Sequence, residues 1–546
     1  MAASVVNHII GSRVEITILV LYLLAVLYWR ANIREYYWKR LAIISTSISS
    51  IVAFTILLAG SITYLLYGSY LDHIEPSISV IAELLKRDQP LYHPLDTGNN
   101  AYSLLYGPLI FQVTAVSQHF APSVLGSKLP AFLAFWGACI AILLGTKNVC
   151  KNRILTIAIY TLAGYVLLSL GYHNYWNRPD PYLLLCTSLA VLAYLRLTPL
   201  GSAVVIGALA GIAAGFKVHA FLYITPLALS LVLLSSNEDK RGKILLIGIG
   251  SATLLFLAPF LDPNVSLTAY LDYLLNASKH GLAYPLFLSN MKLAVIITTP
   301  GLILLIAKRI TLSDQIEAIT LPFVISVFVT AVVSAKPGSG PHHLIPFIPI
   351  STILSLHLVS KFHNHALVGP AMFAAVALTM SSYGMKEANA VVKRAKHAYS
   401  INSTITEKIY ELRKIQTEYP KAEMGIGGIK EYQDTFLRVE LVLQGGNATV
   451  EFGPWMDLHF SGTPKKRLDP LTVECKVPQW IIPKESAPFS LPNLFMKAGS
   501  KEKMVSNEFL TGFTSNYSQA YKGSSYDVWS CTNKKQGSVK YTSQKQ

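Results

Sequence analysis

Twelve separate stretches of this 546-residue chain are apolar over close to the length a helix needs to cross a hydrocarbon layer. They lie near 14–30, 41–67, 124–145, 154–171, 181–198, 201–216, 218–235, 244–261, 291–307, 316–334, 344–360 and 366–383. No water is available inside a bilayer to pair with free N–H and C=O groups. Each stretch must therefore close its own hydrogen bonds, which about 20 residues of α-helix achieve. Composition agrees: 52% hydrophobic against 14% charged residues, with mean hydropathy +0.42, excludes a string of soluble domains. Lys plus Arg exceeds Asp plus Glu by 46 − 30 = 16. In a soluble protein that excess would suggest nucleic acid, but beside apolar runs it is the signature of loops facing the cytoplasm.

Charge divides the chain in two. Of the 76 charged residues, 37 fall in 1–384 and 39 in the last 162 residues. The expected organisation is a polytopic helix bundle over 1–384, with juxtamembrane helices, followed by a water-soluble α+β domain over 385–546. Arg30, Arg34, Lys39 and Arg40 follow the first apolar run and mark it as an anchor rather than a cleaved leader. Placing Arg30–Arg40, Lys147–Arg153, Arg196, Lys240–Lys243, Lys308, Arg309 and Lys361 in the cytoplasm puts both termini and the C-terminal domain outside. Residues 102–120 are apolar enough to upset that parity. Gly107-Pro108 breaks the run, so they are expected to form a juxtamembrane helix. Eight of the 14 acids before residue 385 then lie in outer loops.

Three polar clusters share that outer face. Asp72 and Glu75 follow an apolar run directly, at a depth where desolvation can tune a carboxyl for proton transfer, or where both simply cap the helix beginning near Pro76. The segment HNYWNRPD carries Arg178 and Asp180, which could pair as a clamp. Lys217 and His219 sit between two spans with almost no loop, where an ammonium needs an anionic partner. The run KPGSGPHH supplies Lys336, His342 and His343 on flexible backbone suited to a phosphate. A metal site is not supported: adjacent histidines are expected to point apart, and no other ligand spacing accompanies them.

The order of these motifs resembles the GT-C superfamily of polytopic glycosyltransferases: an acid in the first large outer loop, then QPLYHPLD and YGPLIF, Arg-Pro-Asp, a lysine between central spans, and Lys-Pro-Gly with His-His before LIPFIP. The similarity covers about 41–384. It implies inverting transfer of a sugar from a polyprenyl-phosphate donor, within a bilayer, to a glycan or lipid acceptor on the extracytoplasmic side, with no cofactor and no nucleic acid. It further implies Asp72 as general base with Glu75 beside it. Arg178, Lys217, Lys336, His342 and His343 would neutralise the departing phosphate, and Asp180, His219 and Tyr92 would orient the acceptor or a cation. The extra span at 14–30 departs from the family's pattern. A flippase of lipid-linked sugars is the competing class, but it predicts internal repeats and polar groups at the bilayer midplane, and the ionisable residues gather at helix ends instead.

In the C-terminal part, 385–420 has helical spacing, whereas DTFLRVELVLQ and NATVEF read as strands. Cys475 and Cys531 could form a disulfide if the compartment is oxidising. Sequons occur at Asn264, Asn276, Asn402, Asn447 and Asn516.

Overall fold

Helix ends are written into the sequence at several places. Ser123 accepts from Gly126 N and opens α4 (Val124–Thr146); Asn152 accepts from Ile154 N and Leu155 N and opens α5 (Arg153–Leu170). Thr198 caps α7 (Pro199–Phe216), with proline in its first turn. Asn237 caps α9 (Glu238–Leu257), with Glu238 and Asp239 favouring the positive end. The computed structural model describes residues 35–93, 100–235, 237–277, 279, 281–306, 314–336, 338–362, 385–425, 432–484, 489 and 505–532. The expected spans at 14–30 and 366–383 lie outside them.

Each of the other ten expected spans is a helix. They are α1 (Glu35–Leu66), α4, α5, α6 (Asp180–Arg196), α7, α8 (Phe221–Leu234), α9, α11 (Tyr284–Ile306), α12 (Thr320–Val333) and α13 (Ile348–Phe362). Among the described residues, seven segments are long and apolar enough to cross a membrane, and two shorter apolar ones accompany them. Between α1 and α4 lie α2 (Ile74–Lys86) and α3 (Leu109–Phe120). With 12 residues, α3 spans about 18 Å and is too short to cross. Chain direction alternates from α4 onward, so Asp72, Arg178, Lys217 and His342 share one end of the bundle. Arg153, Arg196 and Lys361 lie at the other.

The C-terminal part opens with α14 (Met385–Glu418), which packs along α1. Its sheet has the order β1 (Ala422–Met424), β2 (Gln479–Pro483), β4 (Tyr526–Cys531), β3 (Tyr517–Lys522), with β1 and β2 parallel and the other pairs antiparallel. Two expected strands are helical instead: α15 (Tyr432–Phe436) and α16 (Arg438–Leu443) replace DTFLRVELVLQ. The run is buried against α2, and a short, wholly buried apolar stretch carries no periodicity to separate strand from helix. NATVEF makes one bridge, Val450 to Ala101, and then enters α17 (Phe452–Phe460). Cys475 and Cys531 are disulfide-bonded, with Cα atoms 6.1 Å apart.

The C-terminal core takes in residues from between the bundle helices at the Asp72 end. Ala101, Tyr273 and Ala277 are packed among Trp455, Phe509 and Phe513. Ala101 exchanges backbone bonds with Thr449 and Glu451 at 2.9 and 3.0 Å.

Candidate active site

The loop between α1 and α2 is held from beneath. Lys128, fully buried in α4, donates to the carbonyls of Tyr64 (3.0 Å), Tyr67 (2.8 Å) and Ser69, below the rings of Tyr64, Tyr67 and Tyr70. These carbonyls lie at and just past the end of α1, where the helix leaves its last C=O groups without intrahelical partners; Tyr64 O also accepts from Tyr67 N at 3.3 Å. Glu75 accepts from Leu71 N (3.0 Å), Asp72 N (3.1 Å), Asn177 N (2.9 Å) and the Tyr64 hydroxyl. Burial raises its pKa, although Lys128 and these donors act the other way. Glu75 thus ties the Asp72 loop to the Arg178 loop from inside the protein.

Asp72 Oδ1 caps α2 through Ile74 N at 2.9 Å and faces Arg178 Nη1 at 3.4 Å, while Oδ2 is 3.3 Å from His73 Nδ1. Burial works to raise the Asp72 pKa, but His73 and Arg178 outweigh it and hold the carboxyl far below the ordinary range. Arg178 also donates Nε and Nη2 to the Tyr106 hydroxyl, at 3.0 and 2.7 Å, and lies over the Trp176 ring. Trp176 in turn donates to Asp180 Oδ2 at 3.0 Å, so Asp180 orients the aromatic under Arg178. Asp180 Oδ1 is buried without a hydrogen-bond partner among the described residues.

Tyr106 reaches this position because Gly107 packs backbone to backbone on the end of α7. Its N–H donates to Phe216 O at 3.0 Å, and a Cβ there would lie 2.2 Å from Gly215 O. The same contact sets Tyr106 beside Lys217, whose Nζ is 5.4 Å from the Tyr106 ring and 3.0 Å from His343 Nδ1. Burial pushes the Lys217 ammonium down to about 8, with Asp180 partly offsetting it. His342 stacks on His173 at 5.1 Å and abuts Trp176.

Arg178, Lys217, His219, Lys336 and His343 line one cavity of about 420 Å³, together with Leu274, Met456 and Asp457. That volume suits a small ligand or headgroup. The structure therefore brings four of the five expected phosphate-binding residues into the lining of one cavity, with the His342 ring packed against those of His343 and His173. Asp72 and Asp180 lie behind Arg178 and Trp176 respectively. Tyr92 is buried further back, where its hydroxyl donates to Tyr106 O at 2.6 Å. The neighbouring histidines do not diverge: on the 3-10 turn Pro341–Phe347 their rings lie 4.5 Å apart, and with Asp180 they bring ligand atoms within 4.8 Å of one another. A divalent ion there would face Lys217 and Arg178 with one carboxylate to balance it, so this donor set fits a metal poorly.

Sequence reasoning passed over Tyr106, Lys128, Asn177 and Asp457. Lys128 carried a signal, since a lysine inside a span needs a reason. Tyr106 and Asp457 had none, being an aromatic in an apolar loop and an acid among soluble-domain acids.

No family model matches this sequence, and no curated protein matches it. Among solved structures, ArnT from Cupriavidus metallidurans bound to undecaprenyl phosphate is similar, with a TM-score of 0.56 at 11% identity over 89% of this chain and 98% of that one. This chain therefore shares the polytopic fold of that protein.

Proposed function

We propose that this protein is an integral membrane glycosyltransferase that moves a sugar from a polyprenyl-phosphate donor to a hydroxyl of a glycan or lipid on the extracytoplasmic side. The observation that carries this reading is the cluster of cations: Arg178, Lys217 and Lys336, from three distant parts of the chain, line one cavity at one end of the bundle, and His343, which burial and Lys217 keep neutral, lines it beside them. As the glycosidic bond breaks, negative charge grows on the phosphate oxygen. Preorganised cations in a dry site stabilise that charge without reorganising. Attack from the opposite side of the sugar inverts the anomeric carbon, and the acceptor proton leaves to a carboxylate.

The resemblance gives that proton to Asp72. In the Asp72–Arg178 pair the carboxylate already has a partner, so it becomes free as a base only when Arg178 turns to the donor phosphate. In either arrangement Asp72 sets the guanidinium. The side of the membrane is supported by the disulfide in the domain over the cavity, which suits an oxidising compartment, and by the basic loops at the far end.

The test is to incubate purified protein with a panel of prenyl-phosphate sugars and follow sugar release or transfer. Wild type is expected to cleave at least one donor. Asp72→Asn should insert normally and lose about 10²- to 10³-fold in rate, the scale of removing one preorganised charge contact. Cleavage undiminished in Asp72→Asn together with Lys217→Met would refute the reading.

A further inference from the structure

Asp457 is the one carboxylate, among the described residues, on the wall of this cavity. It does not arrive there by chance packing, because α17 is fixed at its start. Arg438 donates to both oxygens of Glu451, at 2.6 to 2.9 Å, and to Ser77 Oγ of α2 at 3.2 Å. The Gly453 backbone lies so close to Ile74 that a Cβ would come within 2.5 Å of its Cδ1, and Phe452 meets the His73 ring edge-on at 5.7 Å. One turn later, α17 presents Asp457 to the cavity that the cations line, within the field of Arg178.

We propose that Asp457 is the general base of the transfer, so that the C-terminal domain completes the catalytic centre. The acceptor oxygen bonds to the anomeric carbon, the carbon–oxygen bond to phosphate breaks with its electron pair going to the phosphate, and the acceptor proton passes to the Asp457 carboxylate and then to outer water. This inference rests on the glycosyl-transfer reading.

The division of labour follows from surroundings. Arg178 and His73 keep Asp72 an anion, which makes it a poor proton acceptor and a good anchor for the guanidinium. Burial pushes Asp457 up to about 7, with Arg178 offsetting only part of that. A base poised near the working pH is the efficient one. The titratable groups that share the cavity with Asp457 are His73, Tyr106 and Arg178 from the loops and Lys217, His219, Lys336 and His343, and Tyr273 of α10 (Leu267–Ala277) lies in its field.

The experiment uses the full chain in nanodiscs and the donor that wild type cleaves, with initial rates followed across pH in wild type, Asp457→Asn, Asp457→Glu and Asp72→Asn. The wild-type rate is expected to rise as pH passes about 7 and then level off, because the base must be unprotonated. Asp457→Asn should lose about 10²- to 10⁴-fold and the limb with it; Asp457→Glu should recover part of the rate with a displaced limb; Asp72→Asn should be slow with the limb intact. Binding of decaprenyl phosphate should be unchanged in both Asp457 variants. An Asp457→Asn enzyme within about threefold of wild type, well short of a general base's contribution, overturns the assignment. Loss of decaprenyl phosphate binding in both Asp457 variants does the same. A wild type inert towards every donor overturns the transferase reading itself and this one with it.

Discussion

Asp72 and Asp457 are the same side chain in opposed surroundings. Asp72 lies between a guanidinium and an imidazole and stays charged, whereas Asp457 is half-buried on a cavity wall, where desolvation raises its pKa. The second situation has a thermodynamic consequence. With a folded pKa of about 7 against 3.8, the native state binds more protons than the unfolded one between those values. This carboxyl's contribution is therefore most favourable below pH 3.8 and declines until pH passes about 7. Asp457→Asn is uncharged at every pH and nearly the same shape, so its Tm should exceed that of wild type at pH 8 and approach or fall below it at pH 5. Thermal melts of detergent-solubilised protein at the two pH values check this, and a gap of constant size would contradict it.

At the scale of elements, two contacts decide where the cations stand. Gly107 allows the loop before α3 to touch the end of α7, and Lys128 closes the carbonyls at the end of α1. Gly107→Val is expected to push Tyr106 off Arg178, removing hydrogen bonds worth about 1.5–3 kcal/mol each where a charge takes part. Donor affinity should then fall about 10-fold or more while the protein still inserts, which donor titration by initial rate reads directly. Lys128→Met removes the ammonium from the Tyr67 and Ser69 carbonyls, at about 1–3 kcal/mol apiece, and leaves Tyr64 O with Tyr67 N alone, so it should lower Tm sharply. An unchanged Tm would show that water replaces the ammonium. Neither contact was legible beforehand. The ten helices were, because each follows an apolar run of helical length, and seven segments among the described residues are long and apolar enough to cross a membrane. The cations were legible as residues, since each interrupts an apolar run. Their convergence was not, because it depends on a backbone approach at Gly107 and on which of several polar groups faces the cavity. Asp457 stayed hidden for the same reason: its chemistry comes from α17 docking on α2, and no local pattern around PWMDLHF reports that.

For the whole molecule, the question is what couples the soluble domain to the bundle. The disulfide strengthens the domain internally: its 56-residue separation corresponds to about 4 kcal/mol of chain-entropy stabilisation, lost on reduction. Docking depends on a different feature, the buried Arg438–Glu451 pair that also reaches Ser77. Removing one partner leaves a charge without compensation in a site that is 0% exposed at Glu451, and costs about 3–5 kcal/mol. Replacing both removes the uncompensated charge as well. Arg438→Met alone should therefore lower Tm and slow donor cleavage together, because Asp457 no longer holds its place over the cavity. Arg438→Met with Glu451→Gln should regain much of the Tm. If the domain only covers the site, the double variant should regain the rate in proportion. If Asp457 must be aimed, rate should lag behind stability, since Ser77 no longer fixes the start of α17. Melting curves and initial rates on the single and double variants separate the two outcomes, and a rate that returns fully with Tm would argue against aimed chemistry from the C-terminal domain.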